Sequence, residues 1–198
     1  MIVVYFVYGL AFFSLGLAAL LETRHASELP LGHQLRWLAA FGLIHALDVW
    51  CNMFATALPT GAVHEVLTGA RLILLPVSAW LLVRFGVGLM NDAGPLPEWL
   101  SLLPVMFIVP IGLVAAYGLV VAVTEPPFEL AADVWSRYLL YFPGNVLAAF
   151  GLLRQWKMLA AKTYSPARQL LLGASLAFVF NAVVAGLIVP AAWCGGRF

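Results

Sequence analysis

Six long apolar runs, separated by short polar or proline- and glycine-rich breaks, organise the sequence. They cover residues 2–21, 37–58, 67–90, 99–124, 131–153 and 169–193. About 20 consecutive apolar residues let a helix cross a bilayer. The pattern therefore predicts an all-α fold: one domain over residues 1–198, a polytopic membrane helix bundle with six transmembrane helices. The breaks are Pro30 with Gly32, Pro59 with Gly61, the run NDAGPLP at 91–97, Glu125-Pro126-Pro127, and Ser165-Pro166. Pro76, Pro104, Pro110, Pro143 and Pro190 fall inside the runs. Membrane helices tolerate such prolines, which predict kinks. There is no internal repeat.

One run is chemically out of place. Residues 37–53, WLAAFGLIHALDVWCNM, are apolar enough for a bilayer yet carry His45, Asp48 and Asn52. Their spacing (i, i+3, i+7) puts all three on one helix face. An aspartate at that depth costs about 2.5–3.5 kcal/mol or more, so it is retained where something pairs with it.

Composition agrees with a membrane protein: 64% of residues are hydrophobic, 10% are charged, and the mean hydropathy is +0.99. Soluble domains carry about 25% charged residues. No stretch is polar and long enough for a soluble catalytic domain, and the net charge of +1 gives no footprint for nucleic acid. Residues 1–21 lack a basic leader and a small-residue cleavage signature, so they read as a retained first helix. Cys51 and Cys194 are too few for a disulfide framework.

Placement of charge predicts orientation. Arg24, Arg36, Arg84, Arg154, Lys157, Lys162 and Arg168 are seven of the ten basic residues, and they are assigned to the first, third and fifth loops. The second and fourth loops carry Glu65, Glu125, Glu129 and Asp133 instead. Positive charge stays inside, so both termini are expected on the outer side of a cell inner membrane. Trp37, Trp99 and Trp156 fall at predicted inner boundaries, Trp135 and Trp193 at outer ones.

The remaining intramembrane polar residues extend the candidate site. Arg71 is expected about one turn below the outer surface, within reach of Asp48. The pair either locks two helices or takes part in sensing. Arg137, Tyr141 and Asn145 are spaced by four and share a face, and Asn181 is expected near mid-membrane. Together with His45, Asp48, Asn52 and Arg71 they are candidate ligand-binding or sensing residues, with interhelical hydrogen bonding as the plainer alternative. His45 and Asp48, one turn apart, can also relay a proton or form a pH-sensitive hydrogen bond.

Several chemistries are set aside. His25, His33 and His64 are assigned to loops, so a bis-histidine haem site lacks its second ligand. A third metal ligand beside His45 and Asp48 is not apparent. No lysine falls inside a predicted helix, which excludes a retinal Schiff base. No phosphate loop, HExxH or GxSxG occurs. No catalytic residue, metal or cofactor is expected.

Four stretches, YFVYGLAFFSLGLAALLE (5–22), LPLGHQLRWLAAFGLIHALDVW (29–50), YLLYFPGNVLAAFGLLRQWKML (138–159) and AGLIVP (185–190), carry a family likeness. Together they resemble the N-terminal multi-helix (seven-helix type) membrane sensor module found ahead of bacterial histidine kinase, and sometimes diguanylate cyclase, domains. The resemblance implies an anchor that passes a stimulus to cytoplasmic domains, with a generally undefined ligand. Its His-plus-acid segment maps onto His45 and Asp48, its YxPG segment onto Tyr141, Pro143 and Gly144. The family pattern continues into a seventh helix, whereas AAWCGGRF ends this sequence, which suggests a fragment or a stand-alone relative. The expected function is a non-catalytic sensor or input module; the alternative is an accessory subunit of a membrane complex. Expected partners are the lipid bilayer and other membrane subunits or a second copy, with no nucleic acid.

Overall fold

The computed structural model describes residues 2–25, 32–59, 61–109, 111–113, 133–160 and 166–187. All secondary structure among these residues is helical. Helix α1 spans Ile2–His25, α2 Gly32–Ala57, α3 Ala62–Asp92 and α4 Glu98–Met106. Helix α5, Phe142–Ala160, continues from a π turn at Arg137–Tyr141, and α6, Pro166–Asn181, runs into another at Ala182–Leu187. Apolar side chains leave backbone N–H and C=O groups no water to bond, so each segment satisfies them internally as helix.

Among the described residues, four helices are long and apolar enough to cross a membrane: 2–23, 32–57, 62–92 and 168–185. The expected fourth run is described as helix only over part of its first half, and 114–124 lies outside the described residues. So do Pro30, Pro110, Glu125, Pro126, Pro127, Glu129, Lys162, Ser165, Pro190, Trp193 and Cys194. Helices run longer than the apolar pattern suggests. His33 and His64 lie inside α2 and α3 rather than in loops, and His25 is the last residue of α1. Arg154 and Lys157 are likewise inside α5, and Arg84, counted with the third loop though within the run 67–90, is inside α3. Polar residues at these ends continue the backbone hydrogen bonding of the helices. Lys157 is exposed in the last turn, so it supplies no buried amine.

The bundle is a meander: α1 packs on α2, α2 on α3, α3 on α5, and α5 on α6, with α4 against α3. Glycines set the closest approaches, as expected where helices associate by packing. A Cβ on Gly42 would lie 2.7 Å from the Gly16 backbone nitrogen, and one on Gly151 would lie 2.8 Å from the Gly86 carbonyl oxygen. Phe41, Leu82, Phe85, Leu89 and Tyr141 fill the centre. Polar cross-links join it: Gln155 donates to the Leu89 carbonyl and Ser175 to that of Ala149. At one end Arg36 and Arg84 lie over the Trp37 ring, and Arg168 over Trp156. Most of α1 and α6 faces outward.

Candidate functional site

The α2–α3 hairpin brings Asp48 and Arg71 to one level. Asp48 lies nine residues before Ala57, and Arg71 nine residues after Ala62. At 1.5 Å per residue both sit about 13 Å from the shared turn. Arg71 is thus more than two helical turns from that turn, because α3 begins at Ala62 and not near residue 67. Asp48 Oδ1 and Arg71 Nε are 3.6 Å apart. Both atoms are enclosed, and neither has a hydrogen-bond partner.

Arg71 is shared. Its Nη2 donates to Asp133 Oδ1 at 3.3 Å, and Asp133 Oδ2 accepts from Arg137 Nε at 2.7 Å. Arg137 Nη1 also donates to the Ala185 carbonyl at 3.1 Å, tying α5 to the π turn after α6. Two arginines and two aspartates therefore form one electrically balanced cluster. Asp133, counted with the acidic residues of the fourth loop but also within the expected run 131–153, is helical and only partly exposed. Its spacing of four from Arg137 is the sequence signal for that pairing.

Behind the ion pairs runs a hydrogen-bonded chain in which each proton has a place. Ser78 Oγ donates to the Leu75 carbonyl, so it accepts from His45 Nδ1 at 3.3 Å. His45 Nε2 then accepts from the Tyr141 hydroxyl at 3.1 Å, and that oxygen accepts from Asn181 Nδ2 at 2.8 Å. Asn181 also donates to Asn145 Oδ1 at 2.8 Å and accepts from the Tyr8 hydroxyl at 3.0 Å. The tautomer is assigned from this pattern: neutral His45 with its proton on Nδ1 uses every donor once. Rings pack around it, with His45 stacked on Tyr141 and Phe41 and edge-on to Phe12.

This geometry sorts the expected residues. His45, Asp48, Asn52, Arg71, Arg137 and Tyr141 line one cavity of about 170 Å³. Asn145 and Asn181 stand behind it, bonded to Tyr141. Both ring nitrogens of His45 are engaged elsewhere, which leaves no His45–Asp48 hydrogen bond and no dyad. Sequence reasoning missed Tyr8, Ser78 and Asp133. Tyr5 and Tyr8, three residues apart, signal one polar-tipped face of α1; a serine in an apolar helix usually bonds its own backbone and signals nothing. No group of three His, Cys, Asp or Glu side chains able to hold a metal occurs among the described residues.

The π turn at Arg137–Tyr141 aims this face. The Phe142 N–H bonds the Arg137 carbonyl, five residues back, and Pro143 has no N–H to offer. The widened turn carries Arg137 and Tyr141 into the same cavity.

No protein-family model, curated protein or solved structure matches the chain.

Proposed function

We propose that this chain is a non-catalytic membrane sensor or input module whose polar intramembrane cavity is the signal-responsive element. One observation carries the reading: Asp48 Oδ1 and Arg71 Nε are enclosed beside a cavity, paired in charge yet without a hydrogen bond. An unmet donor and acceptor cost about 1–3 kcal/mol each. A structural lock would close that gap; a site for something else leaves it open. Residues from α1, α2, α3 and the π turns beside α5 and α6 line the cavity, so a ligand there touches five helices. Its differential contacts can then bias their packing between two states. The likeness to sensor modules of histidine kinases supports the same reading.

We further propose six spans with the N-terminus outside. The Arg–Trp contacts gathered at one end of the bundle support a cytoplasmic assignment for that end. The Asp48–Arg71 cavity then opens in the outer half.

A chimera tests the function: this chain, joined through a seventh membrane helix to a histidine kinase domain, with and without Asp48→Asn. The expected result is altered kinase output with normal membrane insertion. Unchanged output with normal insertion contradicts the reading. Stoichiometric co-purification with another membrane protein would then favour an accessory subunit.

A further inference from the structure

The polar cavity is not closed on its lipid side. Helices α1 and α6 have no backbone contact with each other, although the Tyr8–Asn181 bond bridges them. Between them runs an apolar groove of about 360 Å³, lined by Ala11, Phe12 and Leu15 of α1 and by Ala174, Ala177 and Phe178 of α6. Tyr8 and Val184 line both the groove and the polar cavity, so the two are contiguous. From Leu15 to Tyr5 the path follows ten residues of α1, about 15 Å.

We infer that the groove and cavity together bind a single-chain amphiphile dissolved in the bilayer, with an uncharged hydroxyl head and an apolar tail. Three features select that chemistry. The charges of Arg71, Arg137, Asp48 and Asp133 balance, so the cavity holds no surplus for an anionic or cationic head. The two unpartnered atoms are one donor, Arg71 Nε, and one acceptor, Asp48 Oδ1. Both atoms are enclosed, so a head group reaches them as the 3.6 Å pair parts; a hydroxyl then accepts from the first and donates to the second, the smallest group besides water to do both. The tail follows from the groove, about 360 Å³ between two helices with a lining that is apolar almost throughout.

The inference rests on the sensing reading of the cavity and names its ligand class. Its test is direct binding rather than signalling. The full chain is reconstituted in lipid nanodiscs with a photoreactive diazirine analogue of 1-decanol, irradiated, and mapped by mass spectrometry. Labelling should concentrate on residues of the α1–α6 groove. Unlabelled 1-decanol should compete, whereas decane, decanoate and decyltrimethylammonium should compete at least about ten-fold less well. Ala177→Trp and, independently, Ala11→Trp fill the groove from exposed positions and should abolish the focused labelling. Asp48→Ala should lower affinity for 1-decanol by about ten-fold or more.

Labelling spread evenly over lipid-facing positions and indifferent to both tryptophans would overturn the proposal. So would equal competition by decane, or a cavity holding water only. If Asp48→Asn alters chimera output while 1-decanol does not bind, the ligand class fails and the sensor reading stands. Focused binding with unchanged output sinks the sensor reading alone.

Discussion

Asp48 and Arg71 face each other across 3.6 Å with no hydrogen bond between them. Asp48 is 3% exposed, and Arg71 spends its own hydrogen bond on Asp133. A pair built only for stability would close that distance, because desolvating two charges is repaid only by good geometry. The cluster is better described as Arg71 held between two carboxylates, one bonded and one waiting.

That sharing sets an order of severity. Arg71→Ala strips a cation from both Asp48 and Asp133, and removing one partner of a buried pair costs about 3–5 kcal/mol. Asp48→Ala leaves Arg71 bonded to Asp133 and should cost less. In a double-mutant cycle read by unfolding in mild detergent, the double variant should lose less than the two single losses added. Equal single losses that add up would contradict the shared arrangement.

Tyr141→Phe removes a hydroxyl that donates to His45 and accepts from Asn181. Two buried polar atoms then lose a partner, at about 1–3 kcal/mol each. Tyr8→Phe frees Asn181 Oδ1, near the groove, and should cost about 1 kcal/mol. Thermal unfolding of the two variants should rank them in that order; the reverse ranking argues against the hydrogen-bond chain.

Helix contacts can be probed apart from the polar residues. Gly42→Leu drives a side chain into the α1 backbone at Gly16 and should destabilise by about 1–3 kcal/mol or more. Gly173→Leu, at an exposed position with nothing within 4 Å, should be close to neutral. Similar losses at both positions would deny the close α1–α2 packing.

Orientation is checked by cysteine labelling after Cys51 and Cys194 are replaced with serine. Asn91→Cys, exposed beyond the Arg–Trp end, should react with an impermeant maleimide only after the membrane is opened. Gly61→Cys, exposed in the turn between α2 and α3, should react in intact cells. The opposite pattern would invert the proposed topology.

Much of this was legible because lipid leaves few choices. Apolar runs gave the helices, and the cost of an intramembrane charge singled out Asp48 and its face. The spacing of Arg137, Tyr141 and Asn145 placed them together for the same reason. Helix ends were not legible, since polar residues such as His64 and Lys157 continue a helix past the hydrocarbon. Asp133 falls at the start of the 131–153 run, and only its i+4 arginine marks its carboxylate as paired. Ser78 and Tyr8 carry no charge, so no cost marks them in the sequence. Their roles appear only when α1, α2, α3 and α6 come together, and periodicity within one helix cannot report that.

Whether the Asp48 cluster biases helix packing can be read from the distance between α1 and α6 by electron paramagnetic resonance. Spin labels are placed at Leu20 and Leu170, exposed positions near neighbouring ends of α1 and α6, with both native cysteines removed. Asp48→Asn in nanodiscs should change the distance distribution, by a second population or a shift of about 2 Å or more, the scale of a packed-helix movement. Superimposable distributions for the two proteins, both folded and inserted, would contradict it.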